Sequence, residues 1–350
     1  MAWLKRNRAP VFDLAAHKVF SPHSAKQVSP LCLGAMSSGS IYGTGDMVKM
    51  EKQSAFALLD EFVRLGGNFI DAADTYQQDE SELWIGEWMK ARKNREKVVI
   101  TVKYTAGYKG DRPSGAFQVD HGKTATKPLD VSISDSLEKL GTDHIDILYL
   151  HWWDWTGVIE EMMEALDLLV KKGKVRALGV SETPPWIVYK ANHYARNVGI
   201  TPFSVYQGAW NTSNFDREIL PLCVLQGMAF CPWGTVDDGR IQFNTDVVKR
   251  LDTAEKSQSS QSDSHNSSGP GLKDSPSLLK ICKELGAVSA KAVALIYIIQ
   301  KNSCIIPIIC PSQIGDLHSN IKALSLRLTP HQIKDLEKLI QLGFPYSLLK

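Results

Sequence analysis

No run of apolar residues in this chain reaches membrane-spanning length, and its first twenty residues, MAWLKRNRAPVFDLAAHKVF, lack the apolar core of a signal peptide. Neither sign of charge is in excess: 40 Lys and Arg stand against 38 Asp and Glu, a formal charge of +2. That balance gives no basic surface for nucleic acid and no acidic tail, so a small molecule is the expected partner. The six cysteines, Cys32, Cys223, Cys231, Cys282, Cys304 and Cys310, include no C-x-x-C pair, and four lie inside apolar runs. Buried free thiols in a reducing compartment follow, rather than disulfides or a zinc site. No G-x-G-x-x-G follows an apolar run, which argues against a Rossmann dehydrogenase. A soluble cytoplasmic protein, bound to neither nucleic acid nor membrane, is the expectation.

What is present is repetition. Short apolar runs alternate with longer segments of helical period, the pattern of βα units around a parallel sheet. The runs are 31–33, 68–71, 98–103, 145–151, 175–181, 203–207, 228–233 and 304–309. Eight of them in 350 residues fit a single-domain (β/α)8 TIM barrel. Between them, Val158, Met162, Ala165, Leu166 and Leu169 predict the inner face of an outer-ring helix, with Glu160, Glu161, Glu164 and Asp167 on its other side. Asp130 is the expected N-cap of the helix carrying Ile133, Leu137 and Leu140, and Gly141 its left-handed stop. Asp79 and Glu82 form a candidate N-cap and N3 pair after the second run. Residues 1–28 are read as an N-terminal extension, 29–350 as the barrel, and 252–277, poor in apolar residues and rich in Ser and Gln, as a flexible surface insertion.

Four residues at or just beyond the ends of three successive runs make a proton-transfer set: Asp71, Tyr76, Lys103 and His151. Any one of them alone could merely solvate the rim of a barrel. Loops after barrel strands build the active-site face, and four complementary groups at that rim point to catalysis. A phenol with a pKa of about 10 is a poor acid at neutral pH, and a nearby ammonium stabilises its phenolate. Lowering that pKa to about 7 takes roughly 4 kcal/mol. One lysine charge at about 4 Å in an effective dielectric near 20 supplies about as much. Tyr76 is therefore the candidate acid, Lys103 its tuner, Asp71 the lysine's counter-ion and His151 a group that aligns a substrate oxygen. Asp74 competes with Asp71 for the counter-ion role, since both follow the second run. The expected reaction is reduction of a carbonyl.

The segments GGNFIDAADTY, VVITVKY, DILYLHW, GKVRALGVSE, FSVYQGAWN and MAFCPWG, in that order, resemble the aldo-keto reductases, particularly the fungal aryl-alcohol dehydrogenase and norsolorinic acid reductase-like branch. The resemblance runs from about Ser29 to Gln332. It implies a barrel that binds NADPH across its C-terminal face and uses the four residues above for catalysis. It further implies contacts to the nicotinamide amide from Ser181 and Gln207, stacking on that ring by Trp233, and an adenine-side contact from Asn320. Glu182 stands where the family commonly has Asn, and Ser312 where relatives carry an arginine for the 2′-phosphate, so NADH remains open beside NADPH. Asp237 and Asp238 replace expected glycines near the cofactor loop, with Arg240 as a partial offset. Trp152, Trp153, Trp155 and Trp210 suggest flat walls for an aromatic aldehyde or ketone, reduced reversibly in aryl-alcohol or secondary metabolism. The alternatives are a nucleotide-binding sensor or regulatory subunit on the same barrel, and a barrel hydrolase or lyase with Asp71 and Asp74 as paired carboxylates.

Overall fold

A computed structural model describes residues 13–22, 24–35, 50–74, 76, 80–104, 128–155, 157–210, 215–234, 276–287 and 290–339. An antiparallel hairpin comes first, β1 (Lys18–Ser21) and β2 (Ser24–Val28), within the segment read as an extension. The barrel units follow as β3 (Cys32–Gly34), α1 (Lys52–Arg64), β4 (Phe69–Asp71), α2 (Glu80–Arg92), β5 (Val99–Tyr104), α3 (Leu129–Leu140) and β6 (Ile145–Leu150). They continue as α4 (Ile159–Lys171), β7 (Val175–Ser181), α5 (Pro185–Val198), β8 (Phe203–Ala209), α6 (Leu220–Gln226) and β9 (Ala229–Trp233). The chain then runs through α7 (Pro276–Leu285), α8 (Ala290–Lys301), β10 (Ile308–Ile309), α9 (Ile314–Ala323) and α10 (Pro330–Leu339). Strands β3 to β10 form one parallel sheet in the order β10-β3-β4-β5-β6-β7-β8-β9, and a parallel bridge between Phe230 and Ile305 joins its two edges. The eight-stranded barrel expected from the apolar runs is what the chain forms.

The last strand is shorter than its run, 304–309, because Pro307 has no N–H to give the ladder. The break serves both edges. Before it, Ile306 N donates to Phe230 O at 2.7 Å, and after it β10 pairs with β3. Helix α3 starts at Leu129 with Pro128 as N-cap, so Asp130 sits inside the first turn instead of capping it, while Gly141 ends the helix left-handed at φ 61° as expected. On α4 the buried face is rotated from the expected one: Ile159, Met163, Leu166 and Leu169 point inward while Val158 is exposed. Asp167 is buried with them because its carboxylate accepts from Thr201 N and Oγ1 and pairs with Lys171. Pro276 and Ser277 open α7, so the foreseen insertion ends earlier than 277; residues 252–275 lie outside the described residues, as does Asp79.

Two apolar layers hold the barrel. The larger packs strands against helices; the smaller fills the barrel interior with Phe20, Val28, Cys32, Phe69, Val99, Ile147, Tyr149, Ala177, Val205, Ala229, Cys231, Ile306 and Ile308. Phe20 and Val28 belong to the hairpin, which therefore plugs the N-terminal end, with Phe20 edge-on to Phe69 at 5.8 Å. Gly179 leaves room for this filling, since an added Cβ would lie 2.6 Å from both Tyr149 and Val205. Among the described residues, no helix is long and apolar enough to cross a membrane.

A buried carboxylate pins the plug. Asp146 Oδ2 accepts from Ile100 N at 3.0 Å and pairs with Arg95 at 2.9 Å, and Lys26 of β2 reaches Oδ1 at 2.6 Å. Removing the carboxylate leaves the buried Ile100 N without its acceptor, while Lys26, 40% exposed, returns to water and Arg95 keeps Thr142 and the Val98 and His144 carbonyls. Asp146→Ala is expected to lower stability by about 1–3 kcal/mol in urea unfolding, with Asp146→Asn losing less because it keeps an acceptor for Ile100. An unchanged urea midpoint would rule out this anchoring role.

Candidate active site

Side chains alternate along a strand, so the inward rows can be followed from the apolar interior to the C-terminal mouth. Above Phe69 on β4 comes Asp71; above Val99 on β5 come Thr101 and Lys103; above Ile147 and Tyr149 on β6 comes His151. On the opposite arc, Ala177 is followed by Gly179 and Ser181, Val205 by Gln207, and Ala229 by Cys231 and Trp233. The interior rungs are apolar or aromatic, and the chemistry begins where those rungs end.

Lys103 Nζ lies 2.6 Å from Asp71 Oδ2 and donates to Ala72 O at 3.0 Å. Asp71 Oδ1 accepts from Thr101 Oγ1 at 2.6 Å and from Gln207 Nε2 at 3.0 Å. The carboxylate, carried by β4, is thus held by groups from β5 and β8. Asp74 is turned elsewhere, accepting from Ser132 Oγ at 3.4 Å. Of the two aspartates, Asp71 meets the lysine, and the two do not form a free carboxylate pair.

Tyr76 sits in the loop after β4, half-buried, with its ring centroid 4.6 Å from Lys103 Nζ and within hydrogen-bonding reach of it. His151, directly after β6, meets the Tyr76 ring edge-on at 6.3 Å. The four groups expected to converge do converge. Their electrostatics differ from expectation at the tyrosine. Burial pushes the phenol up to about 12, and Lys103, whose charge is already shared with Asp71, only offsets part of that rise. Burial also works against the Lys103 ammonium, but Asp71 and then Tyr76 outweigh it and hold its pKa above the ordinary lysine value. His151 is pushed down to about 3, first by burial and then by the Lys103 charge, so its ring is neutral at physiological pH. The site holds a neutral acid beside a fixed cation and a neutral imidazole.

Of the residues foreseen for a nucleotide, Ser181, Glu182, Gln207 and Trp233 fall at the same mouth, at the ends of β7, β8 and β9. Gln207 spends its amide nitrogen on Asp71, and its carbonyl oxygen has no partner among the described residues. Ser181 Oγ and the buried Asn320 side chain likewise have none. Unengaged polar groups at a barrel mouth fit a ligand that brings its own donors and acceptors. Ser312 donates to Asp316 Oδ2 at 2.7 Å in the first turn of α9, so its hydroxyl is already used beside a carboxylate. Glu182 stands at the exit of β7 in a left-handed conformation, φ 42°. Its Oε1 accepts from Ala209 N at 2.7 Å and from the Trp233 indole at 2.8 Å. Arg240, with Asp237 and Asp238, lies outside the described residues.

The tryptophans divide. Trp153 and Trp210 are 8% and 3% exposed and pack in the outer apolar layer. Trp152 is 40% exposed, its ring 4.8 Å from that of His151. Trp155, in the loop after β6, and Trp186, in the first turn of α5, are 68% and 60% exposed, with ring centroids 6.2 Å apart. Sequence reasoning missed Trp186, although Pro184-Pro185 before it marks the start of α5 at the rim. It also missed Thr101, which sits two residues before Lys103 on the same inward row.

The model of the aldo/keto reductase family matches residues 30–341. An aryl-alcohol dehydrogenase (NADP(+)) of Phanerodontia chrysosporium is 40% identical over 349 residues, covering 97% of this chain and 90% of that protein. Norsolorinic acid reductase B of Aspergillus parasiticus is 39% identical over 348 residues, with 96% and 87% covered. A solved thermostable aldo-keto reductase superposes with a TM-score of 0.68 at 20% identity, over 92% of this chain and 99% of its own, which speaks to the fold. The chain belongs to the aldo/keto reductase family and is an NAD(P)-dependent oxidoreductase, with carbonyl reduction as its chemistry.

Proposed function

We propose that the protein reduces an aromatic aldehyde or ketone to its alcohol, reversibly, with NADPH as its working cofactor and NADH as a competent substitute. The observation that carries this reading is the Tyr76, Lys103 and Asp71 cluster at the mouth of the barrel, with His151 beside it. When bound, the reduced nicotinamide supplies a hydride. Tyr76 delivers the proton to the oxygen that becomes the alcohol. Lys103 then faces a phenolate at close range, which favours proton release at that moment, and Asp71 keeps the lysine charged and aimed. His151, neutral, hydrogen-bonds the substrate oxygen and fixes its direction. Ser181, the Gln207 carbonyl, Trp233, Ser312 and Asn320 are the groups proposed to contact the nucleotide, with Glu182 behind the Trp233 indole. The exposed face of Trp152 beside His151 supports an aromatic substrate. Trp153 and Trp210 are proposed to shape the wall from behind, since their buried rings offer little surface to a substrate. The names of the relatives favour a place in fungal aryl-alcohol or secondary metabolism.

Replacing the acid tests the reading. Tyr76→Phe is expected to lower kcat for benzaldehyde reduction by about 10²–10⁴ while nucleotide binding persists. Retained turnover would overturn the proposal, and a wild-type protein that binds nucleotide without turnover would be a sensor.

The direction of the tyrosine shift gives a second test. With the phenol near 12 and His151 near 3, neither group titrates between pH 5 and 9. Reductive kcat should therefore be flat over that range. Alcohol oxidation needs Tyr76 as a base, so its rate should climb about tenfold per pH unit toward the phenol's pKa. A reductive rate that falls off near pH 7 would place the acid's pKa there instead.

The cofactor preference is set by the first turn of α9. A charge-assisted phosphate contact is worth about 1.5–3 kcal/mol, and Ser312 beside Asp316 does not supply one. Titration by tryptophan fluorescence should give NADPH and NADH affinities within about tenfold of each other, and Ser312→Arg should widen the gap by about ten- to a hundredfold. A wild-type preference for NADPH beyond a thousandfold would contradict this account.

A further inference from the structure

The carboxylate of Glu182 is committed before any ligand arrives. It follows Ser181 at the end of β7, and its backbone N–H donates to Gln207 O at 3.1 Å. Its side chain then crosses over the end of β8, where Gly208 offers no side chain in the way. It takes Ala209 N and the Trp233 indole Nε1 on the same oxygen, Oε1. Three strand ends, β7, β8 and β9, are thereby joined by one residue. The left-handed backbone at φ 42° is unfavourable for a residue with a Cβ. Such strain persists where the surroundings over-determine it, and here it sends the carboxylate toward both donors.

Trp233 has reason to need a tether. Its indole is only partly buried and caps the apolar interior above Cys231, at the last residue of β9, followed by Gly234, itself left-handed at φ 70°. A large ring at the open end of a strand has rotamer freedom that packing from one side does not remove. The backbone of Trp233 is pinned, its carbonyl accepting from Trp210 N at 2.8 Å. The ring is pinned by Glu182.

We propose that Glu182 is a positioning residue: it acts through Trp233, locking the indole at the angle at which it stacks on the nicotinamide ring, and does not itself bind the carboxamide. This rests on the cofactor reading given above. A direct ligand would gain nothing from a tryptophan at position 233, whereas a positioning residue depends on it.

Calorimetric titration with NADPH, on single and double variants, separates the two roles. Glu182→Ala should weaken binding about tenfold and Trp233→Phe by a similar factor, while Glu182→Ala in the Trp233→Phe background should add less than about twofold. Glu182→Gln, which keeps an acceptor oxygen, should stay within about twofold of the wild type. Glu182→Gly suits the left-handed backbone, so it should show the same loss as Glu182→Ala without a loss of folding stability. The indole N–H signal of Trp233 in a ¹H–¹⁵N spectrum, identified by its disappearance in Trp233→Phe, should shift in Glu182→Ala and not in Glu182→Gln. An equal effect of Glu182→Ala in both backgrounds, or an indole signal that does not move, overturns the positioning role and leaves the cofactor reading intact. A wild-type protein that binds neither NADPH nor NADH overturns both.

Discussion

An ammonium and a carboxylate 2.6 Å apart, both almost wholly out of water, are the constraint around which the mouth of this barrel is arranged. Bringing two such charges into a dry site costs several kcal/mol per ion, and their attraction offsets it only when the remaining hydrogen-bonding capacity is filled. Here it is filled. Thr101 and Gln207 occupy Asp71 Oδ1, Lys103 occupies Oδ2, and Ala72 O takes a second lysine proton. Because the acceptor stands on β4 and its donors come from β5 and β8, the pair can form only when distant strands are in register. Fold and site geometry are one condition: a slip of one residue on β5 would turn Lys103 outward and leave Asp71 buried with no counter-ion.

The two ends of the barrel divide the labour. At the closed end Phe20 and Val28 of the hairpin fill the interior, and Asp146 fixes the hairpin through Lys26 to the strands above. At the open end, Ser181 Oγ and the Gln207 carbonyl have no partner among the described residues, and Glu182 is held in a conformation that costs backbone energy. Polar groups open to a ligand thus sit at the mouth, while the plug contributes apolar burial at the other end.

The parts legible in the sequence were those fixed by local period. Eight apolar runs gave eight strands, and because side chains alternate, Asp71, Lys103 and His151 at the ends of runs had to face the same mouth. Where the period stops, so does the reading. After β6 the chain leaves the strand, and nothing in the letters of HWWDW separates the exposed Trp152 and Trp155 from the buried Trp153. Asp167 reads as a solvent-facing acid on its helix, and only Thr201, 34 residues later, accounts for its burial. Pro307 was visible, yet its effect, a strand cut to two residues that serves both edges of the sheet, depends on which neighbours lie beside it. The left-handed turn at Glu182 carries no composition signal at all, since it is imposed by donors on two other strands.

The tyrosine is the instructive case, because residue types alone gave its partner correctly and the sign of its shift wrongly. A lysine beside a phenol argues for a lowered pKa only if the two see each other in isolation. In the folded chain the phenol loses water, and Asp71 takes part of the lysine's field before the phenol feels it, so the proton is held more tightly than in solution. For a reductase this is an advantage in the forward direction. An acid that stays protonated throughout the neutral range is always ready to donate, and the lysine's stabilisation is realised on the phenolate left after transfer. In the proposed reduction, the barrier is then lowered by an interaction that strengthens as the proton leaves, instead of by a phenol that has already lost it.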